Sequence, residues 1–150
     1  MSSLIENPML LRQIIMDHYE YPRHHGLTQD ASYMTRHMAS DSCIDDIHVE
    51  AKIIDNVIQD IRFDGVACTI ATASTSIMSE LLTGKSLTEA HQIIDQYYAM
   101  INGSAFDETL LEEAVAFHTV GKQANRIKCA TIGWKAIEEM IAESEQIYGK

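Results

Sequence analysis

The sequence predicts an α+β fold: a small antiparallel sheet of about three strands packed with an N-terminal helix and several C-terminal helices. Three observations carry that reading. Ile47, Val49, Ala51 and Ile53 alternate with His48, Glu50 and Lys52, the period of a half-buried strand. Asp55-Asn56 then interrupts the run before a second, loosely alternating stretch from Val57 to Phe63, as a hairpin requires. After Cys68 the apolar residues recur at helical spacing to the end of the chain.

Taken in order, Leu10, Leu11, Ile14, Ile15 and Tyr19 describe an amphipathic helix over 8–20, with Pro8 in its first turn and Tyr21-Pro22 ending it. Residues 23–42 show little periodicity and are expected to form a long, partly mobile loop, with Ser40 to Asp45 supplying the third strand. Asp64-Gly65 closes the hairpin. Cys68 to Leu82 reads as a helix stopped by Gly84, and Ser86-Leu87-Thr88-Glu89 is a capping box opening a second that runs to about Ile101. Asp107 to His118 gives a shorter helix. Asn125 to about Ile147 gives the last one, burying Ile127, Ala130, Ile132, Trp134, Ile137 and Ile141. With 150 residues, 46% of them hydrophobic, the chain is expected to form a single domain over 1–150.

Charge and terminal composition narrow the function classes. A net charge of −11 argues against nucleic acid as a partner, because phosphate binding needs a cationic footprint. The start of the chain has no basic n-region, and no run approaches the roughly 20 apolar residues of a membrane span. The expectation is a cytoplasmic protein in a reducing compartment, without a membrane partner. The cations Lys122, Arg126, Lys128 and Lys135 cluster near the last cysteine, with Lys135 assigned to solvent.

The chemistry rests on three cysteines in three settings. Cys43 lies in an acidic loop, Cys68 opens a helix rich in small residues, and Cys129 sits in the first turns of the last helix, between cations. An odd count argues against a disulfide framework. Helix starts offer unsatisfied N–H groups and a positive dipole end to an anionic sulfur. Asp45 is two residues from Cys43, so in an extended segment both side chains share a face. Sulfur and oxygen donors together suit zinc better than magnesium or calcium. From the residues alone, two readings stand: one shared metal site, or three unrelated thiols.

These residues carry a resemblance to a known family. Gln13 to Tyr19 with Pro22-Arg23, Gly65 to Ser76 around Cys68, and Arg126-Ile127-Lys128-Cys129-Ala130 with Trp134-Lys135-Ala136 resemble the SufU branch of the IscU/NifU-N family of iron–sulfur cluster assembly proteins. The segment from Ala99 to Lys122 resembles the insertion that separates that branch from IscU. The resemblance implies a SufU/IscU-like fold and a zinc ion on Cys43, Asp45, Cys68 and Cys129. It also implies a zinc-dependent sulfurtransferase whose Cys43 accepts persulfide sulfur from a SufS-type cysteine desulfurase and passes it to downstream cluster-assembly proteins. Arg126 and Lys128 are assigned to partner docking. The alternative the family offers is a scaffold on which a transient [2Fe–2S] cluster is assembled by the same cysteines.

The chain departs from the family pattern in three places. Ile44 stands where the family has glycine between two ligands, Gln123-Ala124-Asn125 replaces Phe-Pro-Ala, and a second glycine before Cys68 is missing. Other candidates rank below the cysteines. His24-His25 reads as a solvated pair, His91 and His118 as packing or surface residues, and Met78, Met100 and Met140 as core. Ser74 and Ser76 have no base–acid pair near them in sequence, which argues against a serine nucleophile.

Overall fold

A computed structural model of the chain describes residues 4–39 and 44–148. Among these residues are five α-helices and one antiparallel sheet of three strands in the order β1-β2-β3. The α+β architecture expected from the sequence is the one observed.

Helix α1, Pro8–Glu20, begins where the Asn7 side chain accepts the Leu10 N–H at 3.1 Å and Pro8 fixes the first turn. It stops at Tyr21, since Pro22 disfavours helical backbone in the residue before it. Its buried stripe is Leu11, Ile14 and His18, whereas Tyr19 is largely exposed. Leu10 and Ile15 pack partly buried against the core as expected, and His18 takes the inward place expected of Tyr19 because it finds buried partners.

The sheet consists of β1 (Met34–Ala39), β2 (Asp46–Ile54) and β3 (Val57–Val66). Asp55 and Asn56 take φ of 53° and 62°, the left-handed pair that a two-residue hairpin turn demands. Ile47, Val49 and Ala51 on β2, with Ile61 and Phe63 on β3, form the inner face under α2 (Thr69–Leu82) and α5 (Ala124–Tyr148). Glu50 breaks the alternation: it is buried, because its carboxylate accepts the Thr28 and Gln29 N–H groups of the loop that crosses over it.

Two expectations are corrected here. The third strand lies at Met34–Ala39, inside the region expected to be loop, while Ser40–Cys43 lie outside the described residues. The rest of that loop is also tied down, since Gly26 donates to the Phe63 carbonyl at 2.8 Å and Phe63 donates to the His24 carbonyl at 3.1 Å. The helix expected over 107–118 is broken. Helix α4, Glu108–Leu111, ends at Glu112, whose φ of 48° cannot continue it, and a 3-10 helix follows over Glu112–Phe117.

The remaining elements fit the sequence closely. Helix α3, Leu87–Ile101, opens with the capping box: Glu89 N–H to Ser86 Oγ, and Ser86 N–H to Glu89 Oε1, both at 3.1 Å. Helix α5 packs against α2 where Gly133 faces Thr75; a Cβ at Gly133 would lie 2.5 Å from Thr75 Oγ1. Trp134 stacks on Tyr97 at 3.9 Å, and its indole N–H donates to Ser74 Oγ at 3.1 Å. Met78, Met100 and Met140 are core residues.

Candidate metal centre

The site lies at one end of the sheet, where β2 starts and β3 finishes. Antiparallel pairing sets Asp46 opposite Val66, so Asp45 just before β2 and Cys68 just after β3 emerge at the same edge. Gly65 permits the close approach. Its φ is 130°, and a Cβ there would stand 2.2 Å from the Asp46 carbonyl oxygen.

Cys68 is the N-cap of α2, and its sulfur accepts the Ala71 N–H at 3.4 Å. Asp45, 2% exposed, accepts the Cys68 backbone N–H at 2.8 Å through Oδ1, while Oδ2 lies 3.9 Å from Cys68 Sγ. Cys129 comes from α5. It sits in the second turn rather than at the helix start, buried, with its sulfur 3.9 Å from the Asn125 carbonyl. One oxygen of Asp45 and the sulfurs of Cys68 and Cys129 all lie within 4.8 Å of one another. Three separate elements thus bring a carboxylate and two sulfurs to one point.

Cys43 lies outside the described residues, two positions before Asp45. Arg126 and Lys128 are exposed, in the turn of α5 that leads to Cys129, and Lys135 is exposed further along the helix. Ile44, next to Asp45 in the chain, is 69% exposed; Val66 is 65% exposed and, paired with Asp46, lies on the solvent face of the sheet.

Of the two loop histidines, His24 is less solvated than expected, while His25 stays exposed. His24 Nδ1 bonds the Ile61 carbonyl at 2.9 Å, and His25 packs edge-on against Phe63 with Asp64 3.1 Å from Nε2. His91 pairs with Glu145 at 2.9 Å, and His118 is half-buried.

Sequence reasoning missed His18. Its Nδ1 lies 2.8 Å from Ser76 Oγ and its Nε2 3.0 Å from Glu113 Oε1, joining α1, α2 and the 3-10 segment after α4. Ser76 therefore does have a base–acid pair in space. It is still no nucleophile: it is fully buried, and its oxygen already accepts the Arg23 N–H at 2.8 Å. His18 and Arg23 of the Asp17-His18-Tyr19 and Pro22-Arg23 block are thus tied into the fold, with Arg23 also bridging to Asp17. The partners lie 58 and 95 residues away, beyond the reach of spacing arguments.

Comparison with known proteins agrees with this architecture. The family model described as NifU-like N terminal domain matches residues 10–149. The zinc-dependent sulfurtransferase SufU of Bacillus subtilis (strain 168) is 35% identical over 137 residues, covering 91% of this chain and 92% of the relative. The iron–sulfur cluster assembly scaffold protein IscU of Streptococcus pyogenes serotype M1 is 35% identical over 136 residues, covering 90% and 84%. The crystal structure of FiSufU from Fervidobacterium Islandicum AW-1 superposes with a TM-score of 0.75 at 29% identity, over 84% of this chain and 92% of that one. With a core, a sheet edge and a family match that all coincide, the chain belongs to the NifU-like N-terminal domain family, the IscU/NifU-N proteins of iron–sulfur cluster assembly.

Proposed function

We propose that the protein is a zinc-dependent sulfurtransferase that accepts persulfide sulfur from a SufS-type cysteine desulfurase. The observation that carries this reading is the convergence of Asp45, Cys68 and Cys129 within 4.8 Å, with Cys43 two positions before Asp45 in the sequence. The likeness to the Bacillus subtilis sulfurtransferase over 91% of the chain supports it.

The donors fit the ion. Zinc takes sulfur at about 2.3 Å and carboxylate oxygen at about 2.0–2.2 Å, so tetrahedral neighbours stand about 3.5 Å apart. Cys68 Sγ and Asp45 Oδ2, 3.9 Å apart, need only a small adjustment. Cys43, Asp45, Cys68 and Cys129 would hold it. When bound, zinc would keep these sulfurs as thiolates at neutral pH.

The chain's own residues then divide the work. Cys68 and Cys129 are anchored on α2 and α5, whereas Cys43 is carried by the β1–β2 connection and is assigned as the acceptor. Its thiolate attacks the outer sulfur of the partner's persulfide. A sulfur–sulfur bond forms to Cys43, the partner's bond breaks, and the partner's cysteine leaves as thiolate and takes a proton. The transferred sulfur keeps its oxidation level, so no oxidant is needed. Asp45 is held by the Cys68 N–H and contributes an oxygen donor among sulfurs. Exposed Ile44, adjacent to Asp45, offers an apolar contact to a partner, with the Arg126 and Lys128 cations close in sequence to Cys129.

Cysteine turnover by the desulfurase, measured with and without the protein and its Cys43→Ala variant, tests the proposal. Acceleration by the wild type that the variant loses is expected. No acceleration by folded, zinc-loaded protein would overturn it. The second reading, a scaffold for a [2Fe–2S] cluster, is favoured by the Streptococcus pyogenes relative that carries that description. Iron with acid-labile sulfide in freshly purified protein would select the scaffold, and zinc without sulfide the transferase.

A further inference from the structure

A second cluster of metal-binding side chains stands on the opposite face of the same sheet. His37 of β1 and His48 of β2 are direct cross-strand partners. Asp46 precedes His48 by two residues, so the strand's period of two puts both on one face, and His37 joins them from the neighbouring strand. That face is the solvent one: Ile47 and Val49, which alternate with Asp46 and His48, are buried. Asp45 and Asp46, being adjacent, point to opposite sides, and their burial agrees: Asp45 is 2% exposed and the Asp46 side chain 55%. The two clusters stand back to back across the start of β2.

The geometry points to a second metal site, formed by His37, Asp46 and His48 and taking a divalent first-row transition-metal ion. The two imidazole rings lie parallel, 9° apart, with centroids 4.4 Å from each other. His37 Nε2 is 2.6 Å from Asp46 Oδ1. One nitrogen of each ring and one carboxylate oxygen all lie within 4.8 Å of one another. A surface ion pair would use one histidine and one aspartate. The second imidazole, brought in by strand register, completes a donor set suited to such metals once the exposed, parallel rings turn about their side-chain torsions so that both lone pairs meet one ion. Two nitrogens and one oxygen suit zinc, nickel, copper or iron(II) better than magnesium or calcium. All three side chains are exposed, so the remaining coordination positions stay open to water or an incoming group. This donor set lacks thiolate, which separates it chemically from the cysteine centre behind it. Its Asp46 adjoins Asp45, so an ion bound there would also fix the base of the connection that carries Cys43.

Calorimetric titration of full-length protein, already equilibrated with one equivalent of zinc, by further zinc tests this. A second equivalent is expected, with shifts of the His37 and His48 imidazole proton signals in NMR spectra. His37→Ala and His48→Ala should each weaken it about tenfold or more, the least that losing even an outer-shell partner costs. Both side chains are exposed, so retention of the first equivalent reports that the variants fold. Absence of a second equivalent, unshifted imidazole signals, or a second equivalent that survives in the double variant would overturn the proposal.

Discussion

At the scale of single residues, His18 and Arg23 belong to a buried polar chain that ties α1 to α2 and to the segment after α4. The Arg23 N–H donates to Ser76 Oγ, and Ser76 in turn meets His18 Nδ1, whose Nε2 faces Glu113. Ser76→Ala would leave a backbone N–H and an imidazole nitrogen without their partner. The expected cost is about 1–3 kcal/mol, the penalty of burying unsatisfied polar groups. Urea unfolding should show it as a lowered midpoint, while zinc binding stays unchanged. None of this was legible in the sequence, where His18 reads as one more polar residue of an amphipathic helix. The cysteines were legible as candidates, since sulfur beside a carboxylate limits the chemistry. That Asp45, Cys68 and Cys129 meet depends on packing of α5 against α2, which no spacing rule supplies.

At the scale of elements, legibility followed the strength of local signals. The capping box at Ser86 and the Asp55-Asn56 turn were readable because few residues suit those backbone states. Strand β1 was not, because its inward row includes Arg36 between Met34 and Met38, and an arginine there conceals the alternation. Arg36 is retained by α5: its guanidinium lies 2.7 Å from Glu143 and 3.4 Å from Glu139, and the bond to Glu143 raises its pKa further. The break after α4 was equally hidden, because Glu112 is no usual helix stop. At φ 48° and ψ −123° it occupies a glycine-favouring region, strained by about 1–3 kcal/mol. Glycine's extra backbone entropy costs about 0.5–1 kcal/mol, so relief of strain wins. Glu112→Gly should therefore raise stability by about 1 kcal/mol, read as a higher denaturation midpoint.

At the scale of the whole molecule, the candidate centre joins the beginning of β2, the cap of α2 and the second turn of α5. An ion bound by all three would favour the folded state over the unfolded one. At a free zinc concentration of about 1,000 times Kd, that linkage is worth about 4 kcal/mol. A chelator strong enough to strip the metal should accordingly lower Tm by several degrees, and stoichiometric zinc should restore it. With zinc bound, a fold whose core is already complete would still gain stability from this site. Among the described residues no helix is long and apolar enough to cross a membrane, and the net charge of −11 leaves the cations of α5 as a local exception.

Either role at this centre requires that these side chains bind metal through sulfur. The direct measurement is the near-ultraviolet absorption of the cobalt(II)-substituted protein, where thiolate-to-metal charge transfer appears and imidazole or carboxylate ligation gives none. That band is expected at about one cobalt per chain, weakened in both Cys68→Ser and Cys129→Ser. Cobalt binding without the band, or a band indifferent to both substitutions, would contradict sulfur ligation.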